Sequence, residues 1–296
     1  MTAQPNWPVA IIGSGDVGSD LMRKITNGGG PLTMGAMADG IDGLSDLSDV
    51  KLVFDTRDVA HPDDWARLAD NGIRVLGLTP AGAAPYCVPA VNLDAHLDAP
   101  TLHLGTWAAQ ATVPIVAAVA LSGIVSYAEA VSSLSTKSAG PGARADIDGF
   151  TESTAQALQV VAGAERAKAV LILNPAEPPM VLRNTVFCLV DDVEGGPAQR
   201  QRIETDVLAM VDKVSAYVPG YRLKHRVQFE TFGAYNSLYI PETGKFTGTK
   251  VTVLLEVAAA ADHLPVHAGN IDLITSAAKV TAVRIADASE TIGAPS

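Results

Sequence analysis

Gly13, Gly15 and Gly18 stand directly after the apolar β-branched run Pro8–Ile12 and ahead of a helix-like stretch, Ser19–Thr26. In that setting GxGxxG has a mechanical use. The first glycine makes a tight turn, the second lets backbone approach a pyrophosphate, and the third lets helix and strand pack closely. The pyrophosphate then rests on unsatisfied N–H groups of the opening helical turn, which puts Asp16 and Val17 beside the glycines. A plain strand–turn–helix with no ligand is the alternative reading. A ribose carboxylate belongs about 20 residues further on. Asp39 and Asp42 both qualify, and both also read as turn residues in Ala-Asp-Gly and Ile-Asp-Gly.

A second glycine-rich stretch runs Ser138, Ala139, Gly140, Pro141, Gly142, Ala143, Arg144, Ala145, Asp146. It follows a strand-like run and precedes a helix at Phe150, so it can wrap a cofactor with backbone N–H groups and an Arg. Taken alone, such a pattern is more often a structural loop. Thr106, Gln110 and Asp146 are polar groups that could serve hydride transfer, although each also suits a cap, a core amide or a turn. Cys87 and Cys188 form no CxxC pair and no zinc spacing with His, so no metal site is expected. Two cysteines about 100 residues apart exclude a disulfide framework and suit a reduced, cytoplasmic protein.

These residues need a scaffold, and 296 residues suggest two domains. With 48% hydrophobic and 18% charged residues a sizeable core is available, and whole-chain disorder is excluded. A net charge of −11 argues against a nucleic-acid face. The basic cluster Arg222–Arg226 reads as the solvated face of one strand from Tyr221 to Phe229. Leu104–Ala128 carries no charge and is long enough for a bilayer, but its Gln, Pro, Ser and Thr and its lack of a cationic flank favour a buried interface helix. The N-terminus lacks a secretory pattern.

Up to about Gly105, apolar runs at Pro8–Ile12, Leu32–Met37, Lys51–Asp55 and Gly72–Leu78 alternate with helical stretches, which predicts a parallel, doubly wound sheet. Beyond it, strand-like runs at Tyr127–Leu134, Ala169–Leu173, Thr185–Val190 and Lys250–Val257, with helices at Phe150–Val161 and Ala198–Ala216, predict an α+β domain. One open sheet face there is a candidate oligomer interface. Asn270–Ala288 has helical spacing.

Taken in order, the segments Ala10–Gly15, Met34–Met37, Leu78–Pro80, Pro85–Pro89, Val91–Pro100, Lys137–Gly142, Leu173–Pro179, Tyr217–Lys224 and Ala268–Asn270 resemble the acylating acetaldehyde dehydrogenase family. Those NAD-dependent enzymes convert a short aldehyde and coenzyme A to acyl-CoA, usually in complex with a 4-hydroxy-2-oxoacid aldolase. The resemblance implies a Rossmann-type NAD-binding domain, 1–105, completed by 268–296, and an α+β dimerisation and catalytic domain, 106–267. It implies that Gly15–Gly18 face the cofactor pyrophosphate, that Ser138–Asp146 wrap it, and that Asn270 lies near the nicotinamide. A homodimer and an aldolase-like partner are expected with it.

The departures bear on function. The family's Thr-Cys-Gly-Gly-Gln-Ala-Thr reads Thr106-Trp107-Ala108-Ala109-Gln110-Ala111-Thr112 here. The acylating reaction needs a thiolate to attack the aldehyde, and an indole N–H is only a donor. Arg-Asp-Thr-Val reads Arg183-Asn184-Thr185-Val186, replacing a carboxylate with an amide that cannot act as a base. Between Met37 and Asp55 the chain is shorter than the family by about one helix and one strand, so the Rossmann domain is expected to be shortened. Arg57 follows where the family has small residues, and is read as an obstruction to a pyrophosphate rather than a contact. The expectation is a protein that has lost acylating activity and serves as a structural or regulatory subunit. The alternative is an oxidoreductase moving hydride to or from a small carbonyl or imine without a thioester.

Overall fold

The computed structural model describes residues 6–44, 47–80, 84–140, 144–191, 196–240, 244–260 and 263–293, with side chains to 289. The chain divides into two compact units, Met1–Trp107 with Ile271–Ser296, and Ala108–Asn270.

The first unit is built on β1 (Trp7–Ile12), α1 (Asp16–Asn27), β2 (Leu32–Ala38), β3 (Leu52–Asp55), α2 (Pro62–Asp70), β4 (Arg74–Gly77) and β5 (Thr101–His103). Its five-stranded sheet runs β2-β1-β3-β4-β5, and every pairing is parallel. Parallel strands joined by right-handed helical crossovers place helices on both faces, which is why β3 is buried throughout. Order reverses at β1, whose neighbours are β2 and β3. Beyond β2 no further strand pairs among the described residues, where a longer dinucleotide-binding sheet of order 3-2-1-4-5-6 carries one. The shortened Rossmann-type sheet is therefore as expected, with β5 as a strand the sequence reading did not separate. Trp65 of α2 lies against β4 so closely that a Cβ on Gly77 would stand 2.2 Å from its ring.

The second unit takes up α3 (Trp107–Ala120), β6 (Val125–Ser135), α4 (Ile147–Val160), β7 (Ala167–Asn174), β8 (Leu182–Val190), α5 (Pro197–Ser215), β9 (Tyr221–Leu223), β10 (Gln228–Phe232), β11 (Leu238–Ile240), β12 (Gly244–Phe246) and β13 (Gly248–Val257). Its mixed sheet runs β10-β13-β8-β6-β7, with β9 also paired to β13. Residues alternate across the sheet with period two. Ala130, Leu134, Val186, Cys188, Val251 and Val253 are buried on one face. On the other lie Val131, Val170, Ile172, Thr185, Phe187 and Leu254, all partly or largely exposed.

One sequence expectation changes. Tyr221–Phe229 is not one strand: β9 ends at Leu223 and β10 begins at Gln228, on opposite stretches of β13. Arg222 and Lys224 both reach Glu256, at 3.2 and 3.5 Å. The uncharged stretch Leu104–Ala128 becomes a 14-residue helix and the start of β6, and no helix among the described residues is long and apolar enough to cross a membrane. The last helix, α6 (Gly269–Gly293), lays its Asp272, Thr275 and Ser276 around Lys24 of α1 within the first unit.

Candidate functional site

Glycine at 13 and at 18 answers first to packing. Gly13 has φ +105°, and a Cβ there would meet Thr56 Oγ1 at 2.5 Å. A Cβ on Gly18 would meet the Gly13 carbonyl at 2.0 Å. Thr56 donates its hydroxyl to the Ile12 and Gly13 carbonyls at 2.9 and 3.1 Å, so the loop after β3 is stitched to the loop after β1. Gly15 is different, because nothing lies within 4 Å of where its Cβ would be. It is the N-cap of α1, without a side-chain capping bond, and Asp16 and Val17 follow in the first turn. The opening N–H groups of α1 thus carry no capping side chain, and the positive end of the helix dipole lies at this turn.

Asp39, just past β2, accepts a hydrogen bond from Ser14 in the glycine loop. Asp42 sits in a separate 3-10 turn with its side chain 93% exposed. Of the two ribose candidates, only Asp39 adjoins the loop. Arg57 is held by Asp55 and Asp64, at 2.7 and 2.9 Å. The hydrogen bonds it donates to Asp55, opposed by burial, leave its pKa raised.

Thr106 and Trp107 mark the entry to α3. Gly105 (φ +64°) makes the turn, and Tyr86 occupies the space a side chain on it would need. The Thr106 backbone N–H donates to the Tyr86 hydroxyl at 3.0 Å. Trp107 is the first residue of α3 and is buried, as are Thr106, Gln110 and Thr112. Pro114 removes the helical bond to the Gln110 carbonyl, and the buried Tyr221 hydroxyl donates to the neighbouring Ala111 carbonyl at 2.8 Å. Beneath this turn the Tyr86 and His103 rings lie 4.4 Å apart. Burial pushes His103 down to about 4 against a bond to Ala84, and its Nδ1 has no partner. Neither cysteine supplies a thiolate. Both are fully buried, and burial pushes each thiol up to about 12.

In the second unit, Asn184 of β8 lies opposite Ser132 of β6. Ser132 donates to Asn184 Oδ1 at 2.6 Å, and the amide Nδ2 is buried without a partner. The described residues of the glycine-rich loop are bound by their near neighbours. Arg144 donates to the Ala139 carbonyl at 3.0 Å and to that of Thr136. Its guanidinium thus turns back onto the loop. Asp146 is the N-cap of α4, accepting from the Gly149 N–H at 2.8 Å. Ser138 donates to the His267 carbonyl, and Asn270 Nδ2 to the Ser138 carbonyl, both at 3.0 Å. That leaves Asn270 Oδ1 as a buried acceptor with no partner. Ala139 and Gly140 lie along this loop and Ala145 just before Asp146, while Pro141, Gly142 and Ala143 fall outside the described residues. No three His, Cys, Asp or Glu among the described residues gather as a metal site.

Sequence reasoning missed the Asp55–Arg57–Asp64–Trp65 cluster and the Tyr86–His103 pair. The spacing Asp-x-Arg at a strand end with Asp-Trp one helical turn into α2 was the available signal for the first. The second joins residues that only the fold brings together.

Comparison with known proteins bears on what this scaffold is. Residues 107–265 match the family model described as prokaryotic acetaldehyde dehydrogenase, dimerisation. Acetaldehyde dehydrogenase 1 of Mycobacterium ulcerans is 52% identical over 310 positions, covering 96% of this chain and 91% of that one. That span exceeds the length of this chain, so the relative carries residues absent here. A protein of Mycolicibacterium vanbaalenii whose name reads "Probable inactive acetaldehyde dehydrogenase 1" is 53% identical, covering 97% and 96%. Among solved structures, aspartate semialdehyde dehydrogenase II of Vibrio cholerae superimposes with TM-score 0.57 at 12% identity, covering 95% of this chain and 99% of that one, a likeness of fold alone. With half its residues identical to an acetaldehyde dehydrogenase along almost its full length, this chain belongs to the acetaldehyde dehydrogenase family.

Proposed function

We propose that this chain has lost thiol-dependent acylation and serves, as a homodimer, as a structural or regulatory subunit for an aldolase-like partner. One observation carries the reading: α3 begins with a buried Trp107 where the family resemblance sets the nucleophilic cysteine. Acyl transfer to coenzyme A needs a sulfur that attacks the aldehyde, releases hydride and holds the thioester. An indole cannot do this, and the two thiols in the chain are buried and protonated at neutral pH. Asn184 supports the same reading, since an amide fixed by Ser132 accepts no proton. Scaffold features survive: the matched dimerisation region and the partly exposed sheet face of the second unit.

The test is co-expression with an aldolase-like partner. The account expects the two chains to co-purify, and the partner to be insoluble or inactive alone. Full aldolase activity from the isolated partner would sink it.

A second reading is favoured by a specific observation. The open space at Gly15 and the uncapped start of α1 fit a dinucleotide pyrophosphate, and Asp39, bonded to Ser14 of the same loop, fits a ribose hydroxyl. Bound there, a nicotinamide dinucleotide would supply hydride chemistry, and this chain would be an oxidoreductase acting on a small carbonyl or imine without a covalent intermediate. Titration with NADH separates the readings, because absence of saturable binding removes the second.

A further inference from the structure

Asp55, the last residue of β3, is fully buried, and its carboxylate is met by its own surroundings. Oδ1 accepts from the Arg57 backbone N–H and Nε at 3.2 and 2.9 Å, and Oδ2 from Arg57 Nη2 and Trp65 Nε1 at 2.7 Å each. Arg57 Nη1 donates to Asp64 Oδ2 at 2.9 Å. One cation thus faces two carboxylates. The Arg57 backbone N stands 3.2 Å from where a Cβ on Gly13 would be, so this residue borders the glycine loop.

In a doubly wound sheet the ligand crevice opens past the carboxyl ends of the strands where order reverses, here between β1 and β3. Arg57 therefore lies on the wall of that crevice with its charge already committed. Asp16 and Asp39 add negative charge at the glycine loop itself. An arginine fork matches phosphate oxygens in pairs, but only when its donors are free to turn toward them.

We propose that Asp64 holds Arg57 as a latch that sets dinucleotide affinity in this chain. Docked on Asp55 and Asp64, the guanidinium is withheld from a pyrophosphate; released from Asp64, it turns to one. This inference rests on the dinucleotide reading above, and its test separates the two.

The full-length wild type, Asp64→Ala and the triple variant Asp55→Asn/Arg57→Gln/Asp64→Ala are titrated with NADH by fluorescence, with thermal melts to verify folding. The triple variant removes the ion pair as a whole, so no buried charge is stranded. The latch predicts weak saturable binding by wild type, binding by Asp64→Ala about tenfold tighter or more, and no gain in the triple variant. Equal affinity in wild type and Asp64→Ala, or a gain that survives without Arg57, overturns the latch while wild-type saturation keeps the dinucleotide reading. Saturation by Asp64→Ala alone removes the dinucleotide reading for the native chain while supporting the latch as what withholds Arg57. No saturation in any folded protein overturns both. Should the triple variant not fold, salt dependence decides: affinity of Asp64→Ala must fall more steeply with ionic strength than that of wild type, because a charged contact has been added, and equal slopes overturn the latch.

Discussion

Side-chain chemistry at the start of α3 sets the limits of what this chain can do. A thiol at a helix N-terminus is acidified by the dipole, but here the position holds an indole packed into the interior. Under native conditions at neutral pH, iodoacetamide should therefore leave the wild type unmodified, while Trp107→Cys should take up one equivalent, read by intact mass. Uptake by native wild type would mean that Cys87 or Cys188 is reachable. His103 gives a second prediction. Burial lowers its folded pKa from 6.5 to about 4, so between those values the unfolded chain binds more protons than the folded one. Stability is then complete above pH 6.5 and falls with acid, by about 3 kcal/mol at pH 4. Urea midpoints across that window check it, and His103→Gln should flatten the dependence. Glu256 adds a smaller effect of like sign: burial raises its pKa, yet Arg222, Arg183 and Lys224 together hold it below the ordinary value.

At the scale of elements, the loop after β3 depends on one buried ion pair. Removing Arg57 alone strands the Asp55 carboxylate in the interior, and Arg57→Ala should cost about 3–5 kcal/mol in chemical denaturation. Replacing both partners, as in Asp55→Asn/Arg57→Gln, should cost distinctly less. Much of the first unit was legible beforehand, because short apolar runs such as Pro8–Ile12 and Lys51–Asp55, spaced by amphipathic stretches, have few other ways to bury both faces. The glycine loop was legible as a turn. What its neighbours do was not: Arg57 reads in sequence as an obstruction to a pyrophosphate, and only the fold brings Asp64 and Trp65 to Asp55 and occupies its charge. The partners of Arg144 were equally hidden, since the carbonyls of Thr136 and Ala139 that it donates to are invisible in composition. The break between β9 and β10 was missed because Arg222–Arg226 keeps strand-like alternation through a bend.

For the whole molecule, the partly exposed face of the second unit is the feature that a homodimer would explain. Ile172 on β7 is 45% exposed, in register with Ser133 of β6, on the face that carries Val131, Val170 and Phe187. If that face is the dimer contact, Ile172→Arg should raise the dimer dissociation constant about 30-fold, roughly 2 kcal/mol, by sedimentation velocity. An unchanged constant would move the contact elsewhere. The central claim is that no acyl group is ever carried on this polypeptide. It is tested most directly by incubating purified wild type with isotopically labelled acyl-CoA, and separately with labelled short aldehyde and NAD, then denaturing and weighing the chain. The account predicts the unmodified mass in both; one equivalent of label bound covalently to the protein would contradict it.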